Sequence, residues 1–304
     1  MNYDIVILTD PRYTNPKELN SGIENVLLED QLVLDALKKI GFSATRKSWD
    51  DPDFDWTTTQ YAIFRSTWDC FNRFSEFSNW LNDVSGKTKL INSKKLINWN
   101  IDKHYMKDLA ANGIAIPKTL FIEQGETITL SDAIKKAIEG YGFDNTSLVL
   151  KPCISGGARH TYKILPSEVV QYDELFQELV TNEAMMLQEF QHNIVTKGEI
   201  SMMVFNGKFT NAVLKIAKLG DFRVQDDFGG SVQKYNPSKE EISFTENVVA
   251  AAPEMPIYAR VDIFRDNDNN LALAELEIFE PELWFRLFPD AANVLANSIK
   301  SRLF

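Results

Sequence analysis

The N-terminal part of the chain alternates short, unbroken apolar runs with stretches in which hydrophobic side chains recur every three or four positions. Residues 3–8, Tyr-Asp-Ile-Val-Ile-Leu, read as a buried first strand. Residues 23–40 place Ile23, Val26, Leu27, Val33, Leu34, Leu37 and Ile40 at helical spacing, and Gly41 suits the stop. Strands at 43–48 and 61–65 follow, then a second amphipathic helix at 73–84 with Phe74, Phe77, Trp80, Leu81 and Val84 on one stripe, then a strand at 89–92. This β–α alternation predicts a small α/β domain with a mainly parallel sheet over residues 1–95. In such sheets the functional loops lie beyond the strand C-termini. Here those loops are Thr9-Asp10-Pro11-Arg12 and Arg65-Ser66-Thr67-Trp68-Asp69.

Beyond this domain the pattern changes. One helix is expected over 101–112, with Asn100 as N-cap, Gly113 as stop, and Lys103 off the apolar stripe of Ile101, Tyr105 and Leu109. Strands at 119–122, 147–151 and 160–164 and helices at 131–139 and 168–180, capped by Ser131 and Ser167, predict an α+β unit over 96–184. At its centre lies the loop Lys151-Pro-Cys-Ile-Ser-Gly-Gly-Ala-Arg159. Adjacent glycines let a backbone approach a ligand closely, and successive N–H groups can cradle phosphate oxygens. It is not a Walker-type loop, because no Gly-Lys-Ser/Thr follows and a strand comes next. A third unit is expected over 185–304. It opens with the apolar strand Met185-Met-Leu-Gln-Glu-Phe-Gln191. Asn206-Gly207 joins runs 199–205 and 208–215 into a hairpin. A helix starts at Ser238 with Glu241 completing a capping box, and the last helix covers 291–302.

Between those helices, two β-prone runs flank the polar turn 266–270. With the turn centred near Asp268 and Asn269, Asp262 lies opposite Glu275. Cross-strand partners and residues two apart share a face, so Asp262, Glu275 and Glu277 converge. Crowded carboxylates raise one another's pKa unless a positive charge lies among them. Mg²⁺, a hard cation with a preference for oxygen, answers that need. The alternative at this point is a solvated face of ordinary surface acids.

Composition narrows the classes. A chain of 304 residues with 44% hydrophobic and 25% charged content has the make-up of a globular protein, not of a disordered one. A net charge of −11 disfavours non-specific attraction to nucleic acid or an anionic membrane while leaving room for a local basic pocket. Two cysteines, Cys70 and Cys153, are too few for a disulfide framework. The N-terminus lacks the basic and apolar regions of a signal peptide, and no run has the length of a membrane span. The expectation is a cytoplasmic protein with neither nucleic-acid nor membrane partners. His104, His160 and His192 show no metal-ligand spacing, and no Cys/His or Ser/His/Asp set stands out.

Taken together, the order and spacing of these segments resemble the ATP-grasp enzymes, and among them the glutathione-synthetase-like carboxylate–amine ligases. The resemblance covers most of the chain and is strongest over residues 98–281. It implies an α/β N-terminal domain followed by two α+β subdomains with ATP between them. It also assigns roles. Lys103 matches a helix lysine on the ATP phosphates, and Lys151, in Val-Leu-Lys-Pro, a strand lysine reaching adenine and phosphates. Ser155, Gly156 and Gly157 match the mobile glycine lid, and Gln188, Glu189 and Phe190 the strand that bonds the adenine edge, largely through backbone. Glu199 matches the acid on the ribose hydroxyls, and Lys215 and Arg223 the basic groups near the γ-phosphate and the acyl intermediate. Asp262, Glu275 and Glu277 match the metal-ligand positions. Arg12 and Arg65 suit pairing with a substrate carboxylate, while Trp68 and Asp69 suit an amine pocket; the alternative is an internal ion pair for Arg65 and a core position for Trp68. The short Arg-Ser-Thr-Trp-Asp run resembles the branch that includes the ligase closing the cycloserine ring.

Three departures from the family pattern stand out: Ser201 where a basic residue is usual, Glu277 where Asn is usual, and His160 where the lid would carry a glycine. The reaction the resemblance implies is ATP- and Mg²⁺-dependent joining of small, amino-acid-like carboxylate and amine substrates. Phosphoryl transfer to another acceptor and a non-catalytic ATP-binding module are the alternatives. The identity of acid and amine, one or two metal ions, ring closure against intermolecular joining, and a homo-oligomer against a monomer stay open.

Overall fold

Three sheets organise the chain in a computed structural model that describes residues 2–144, 146–218 and 229–304. The first contains β1 (Tyr3–Thr9), β2 (Ala44–Ser48), β3 (Thr59–Ser66) and β4 (Lys89–Ile91), all parallel in the order β2-β1-β3-β4. Helices α1 (Ser21–Lys39) and α2 (Phe74–Val84) belong to the same unit. The unbroken apolar runs of β1 and β3 suit strands covered on both faces. The Asn20 side chain accepts from the Ile23 N–H at 2.9 Å and so sets the start of α1.

The helix expected over 101–112 is two short helices, α3 (Lys94–Asn100) and α4 (Tyr105–Ala111), and Lys103 lies in the turn between them. Asn100 is not a cap. Its side chain donates to the Leu276 carbonyl at 2.6 Å and accepts from the Ile278 N–H at 2.9 Å. That long-range tether replaces helical continuity, and Asp102 caps the turn by accepting from the His104 N–H.

The second sheet is antiparallel, with β5 (Thr119–Ile122), β6 (Leu148–Pro152), β7 (Tyr162–Ile164) and β8 (Met185–Glu189) in the order β5-β8-β6-β7. Helices α5 (Leu130–Tyr141) and α6 (Val169–Asn182) share its core. Thr129, not Ser131, caps α5, and Ser167 lies in a 3-10 turn ahead of α6. The boundary expected before Met185 falls after Glu189, because β8 takes its ladder bonds between β5 and β6.

Following α7 (His192–Lys197), the third sheet contains β9 (Glu199–Phe205), β10 (Lys208–Ile216), β11 (Ser231–Tyr235), β12 (Tyr258–Arg265) and β13 (Leu271–Glu277). It is antiparallel in the order β11-β10-β9-β12-β13. Helix α8 (Lys239–Ala250) starts at the Ser238–Glu241 capping box. The last helix, α9 (Pro289–Leu303), does not stay with the third unit. Ala292, Leu295 and Ile299 share one core with Val33 and Leu37 of α1, Ile5 and Ile63 of the first sheet, and Met203 and Phe205 of β9. Asn92, just after β4, reinforces this junction: its amide donates to the Tyr258 carbonyl at 3.0 Å and the Ile278 carbonyl at 2.8 Å. No helix among the described residues is long and apolar enough to cross a membrane. Both cysteines are free and buried.

Candidate active site

Where the loops of the three sheets meet, a cleft of about 580 Å³ opens. Its floor is the β12–β13 hairpin. Asp262 pairs with Glu275 in the ladder, as the turn chemistry predicted, but by way of a bulge: Ile263 already pairs with Leu273, leaving Ala274 unopposed. The extra residue changes the local alternation and brings Glu275 onto the face of Asp262. Glu277 faces Arg260 across the same ladder.

Arg260 was not singled out from the sequence. It is buried, donates to Asp262 at 2.9 and 3.0 Å, and also bonds the Glu277 carboxylate. The signal was present, since Arg260 stands two residues before Asp262 and shares its face. Lys215 of β10 joins from the other side, 3.1 Å from Asp262 and 2.5 Å from Glu199. Both cations face the Trp284 ring, at 5.3 Å for Arg260 and 5.8 Å for Lys215. Trp284 itself has φ of +49°, a conformation that bulky residues rarely take.

Electrostatics follow from this crowding. Burial works against ionised Asp262, but Arg260 and Lys215 outweigh it and hold the carboxyl down at about 2. Burial pushes Glu277 up to about 8, with Glu275 and Asp262 adding and Arg260 opposing. Burial likewise raises Glu280 well above the usual range, with Glu277 next. Burial opposes the charge on Lys103 and Lys215, yet their acidic neighbours leave both pKa values raised. Lys151 differs: burial dominates and lowers it, against the pull of Glu275. The oxygens of Asp262, Glu275 and Glu277 do not gather within 4.8 Å as a set; among the described residues that spacing occurs for Asp102, His104 and Cys153. Arg260 occupies the space between Asp262 and Glu277.

The second sheet supplies the roof. Lys103 donates from Nζ to the Ser155 carbonyl at 2.6 Å and lies 3.1 Å from Glu275, so one lysine ties the glycine loop to the hairpin. Gly157 has φ of +59°, which favours glycine, whereas Gly156 packs against Phe71. Arg159 anchors the loop by donating to Glu183 at 2.9 Å and to the Ile154 carbonyl at 2.9 Å. Lys151 lines the cleft from β6. Gln188, Glu189 and Phe190 line its far end. The Gln188 amide donates to Thr119 Oγ1 at 2.9 Å, and the Glu189 carboxylate accepts from the Asp144 N–H at 2.8 Å and from Lys118 at 3.2 Å. Those side chains are committed within the protein.

The loops of the first sheet close the other end. Arg12 lines the cleft, gripped by the Asp10 carboxylate at 2.5 and 3.1 Å. Trp68 lines it too, its indole N–H donating to the Glu280 carbonyl at 3.1 Å. Arg65 and Asp69 are placed behind this wall. Arg65 is buried, donates to the Pro281 carbonyl at 2.8 Å and lies 3.5 Å from Glu29. Asp69 accepts from the Trp49 indole at 2.8 Å and from Arg73 at 2.9 Å. Arg223 lies outside the described residues. Glu282 and Arg286, which the sequence reading did not single out, also line this end.

Residues 102–278, more than half of the chain, match the RimK-like ATP-grasp domain family. The chain belongs to that family. As an ATP-grasp enzyme, it is an ATP-dependent ligase of the C–N bond-forming class. Residues 5–92 match the N-terminal domain of D-cycloserine synthetase DcsG. The cycloserine biosynthesis protein DcsG of Streptomyces lavendulae is 25% identical over 287 residues, covering 89% of this chain and 92% of that protein. Among solved structures, D-cycloserine synthetase DcsG superposes with a TM-score of 0.86 at 23% identity, covering 99% of both chains. D-alanine–D-alanine ligase from Bacillus anthracis superposes with a TM-score of 0.64 at 16% identity, covering 98% of this chain and 96% of that one. The order of sheets that builds the cleft is therefore the ATP-grasp arrangement, with the branch of the cycloserine ligase among its relatives.

Proposed function

We propose that this ATP-grasp ligase joins a small, amino-acid-like carboxylate to an amine through an acylphosphate, releasing ADP and phosphate. One observation carries the reading: Lys103, Lys151, Lys215 and Arg260 converge with Asp262, Glu275 and Glu277 in a single cleft. A carboxylate is a poor electrophile. Its oxygen attacks the γ-phosphorus and the bond to ADP breaks; the amine nitrogen then attacks the acyl carbon and phosphate leaves, taking up the amine's proton. Neither step needs a side-chain nucleophile, so the protein's work is positioning and charge neutralisation. Lys103 and Lys151 suit the transferring phosphates, and Lys215 and Arg260, with Arg223, suit the charge that develops on the acyl group. Backbone groups of Gln188, Glu189 and Phe190 suit the adenine edge, and Glu199 the ribose.

The donor set also fits a hard cation. Every donor is a carboxylate oxygen, Asp262 and Glu275 are cross-strand partners, and Glu277 lies two residues beyond Glu275 on the same face. Asp262, Glu275 and Glu277 would hold Mg²⁺, which when bound neutralises and orients the phosphates. The substrate end is mixed in charge, with Arg12, Arg286, Glu280 and Glu282 beside Trp68. That chemistry suits a zwitterionic amino-acid derivative, and the DcsG-like N-terminal domain supports the same class.

The test is ADP release over pairs of amino acids and small carboxylates, with hydroxylamine replacing the amine. ADP, phosphate and a hydroxamate are expected. AMP and pyrophosphate, or a stable phosphorylated product without hydroxamate, would overturn the reading.

A further inference from the structure

The two lid glycines have different surroundings. A methyl on Gly157 would meet nothing within 4 Å, so its demand is on backbone conformation alone. A methyl on Gly156 would lie 2.5 Å from Phe71 Cε2 and 2.6 Å from Cδ2. Gly156 therefore makes room for one particular ring, and that ring belongs to the N-terminal domain. Phe71 ends the 3-10 turn Trp68–Phe71 that follows β3. The Phe71 ring also stands edge-on to Phe279, with the ring centroids 6.4 Å apart. The same turn is tied to the end of the hairpin through the Trp68–Glu280 bond. On the far side, the Ser155 carbonyl holds Lys103, and Lys103 holds Glu275.

From this geometry we infer that Phe71 is a positioning residue: it is the seat on which the glycine loop closes, and it couples the substrate end of the cleft to the phosphate end. The inference rests on the ligase reading. The loop meets Phe71 correctly only when the 68–71 turn is in place, and the seated loop presents Ser155 to Lys103. Trp68 of that turn also lines the substrate end, so an ill-fitting substrate that displaces the turn unseats the lid. The coupling restrains ATP from reacting with water when no proper acceptor is bound.

A double-mutant cycle with two readouts tests this. Phe71→Ala and Gly156→Ala are each expected to lower coupled turnover about tenfold, the overpacked methyl and the lost seat acting on one contact. Both should raise the ADP released per product formed. The double variant should be no worse than Phe71→Ala alone, since an added methyl costs nothing once the ring is gone. Multiplicative losses, or a Gly156→Ala enzyme with wild-type turnover and coupling, would overturn the inference. Phe71→Leu, which keeps apolar bulk, serves if the alanine variant is unfolded; it should fall between wild type and Gly156→Ala. The second readout is hydrogen exchange of residues 155–161 on adding AMPPNP with Mg²⁺. Wild type should gain protection there, and both single variants should gain markedly less while still binding AMPPNP. Equal protection in all three would sink the seat even if the enzyme proved to catalyse a different ATP-dependent reaction.

Discussion

Arg260 faces Glu277 across the β12–β13 ladder, and the same guanidinium reaches Asp262 at 2.9 Å. A buried cation is thus part of the acid cluster itself. Removing it takes from Glu277 the cation bonded to it and leaves Asp262 to Lys215, in a cleft where a developing negative charge must be stabilised. Arg260→Met should lower kcat by about 10²-fold or more, the loss typical of an electrostatic stabiliser, with a smaller change in KM for ATP. Steady-state kinetics at saturating Mg²⁺ would check it, and an unchanged kcat would remove Arg260 from the chemistry.

Glu277 stands where the family resemblance implies Asn, and burial, with Glu275 and Asp262 adding, raises its pKa. Glu277→Asn should keep turnover within about tenfold of wild type, because the amide oxygen retains a ligand position while the charge is lost. Its Mg²⁺ half-saturation should shift by a similar factor. A Mg²⁺ titration of initial rate gives the answer. If Asp262, Glu275 and Glu277 can all be neutralised with no effect on rate, the hairpin acids have no part in metal binding.

Asn100 satisfies both a buried carbonyl and a buried N–H of the segment that follows Glu275. Asn100→Ala leaves both groups without partners, at a cost of about 2–4 kcal/mol at typical penalties for unpaired buried groups. Urea unfolding should show that loss as a lower midpoint at an unchanged slope. A midpoint within error of wild type would mean that another group has taken over the tether.

Glu29 of α1 is pushed up from its ordinary 4.5 to about 7 by burial and then by Glu282, against the pull of Arg65 and Arg286. Between those two values the folded protein keeps a proton that the unfolded chain releases. The unfolded state then binds fewer protons, so stability should fall as pH rises through this window. Glu29→Gln, with no proton to release, should flatten that part of the profile. Urea midpoints of both proteins across pH 4.5–7.5 test it, and parallel profiles would contradict the raised pKa.

Local chemistry made much of this legible. The turn 266–270 announces its hairpin, Ser238 and Glu241 announce their helix, and alternation puts the acids of the floor on one face. What escaped depends on contacts distant in sequence. The break between α3 and α4 follows from Asn100 being drawn to β13, which helical periodicity cannot register. Strand order within the second sheet decides that β8 belongs there, and the apolar run 185–191 reads the same in either sheet. Arg65 stands at the C-terminal end of β3, a place typical of function in such sheets, yet it holds Pro281 and Glu29 inside the protein. Ala274 shows the intermediate case: the pairing of Asp262 with Glu275 was legible, the bulge that permits it was not.

The placement of α9 carries a consequence for synthesis. Ala292, Leu295 and Ile299 complete the core that Ile5, Val33 and Leu37 begin. On the ribosome, the first domain must therefore wait with an uncovered apolar face until α9 has emerged. Its folding is thereby coupled to completion of the catalytic floor, and fragments ending before residue 289 should be captured by chaperones rather than accumulate as a folded N-terminal domain.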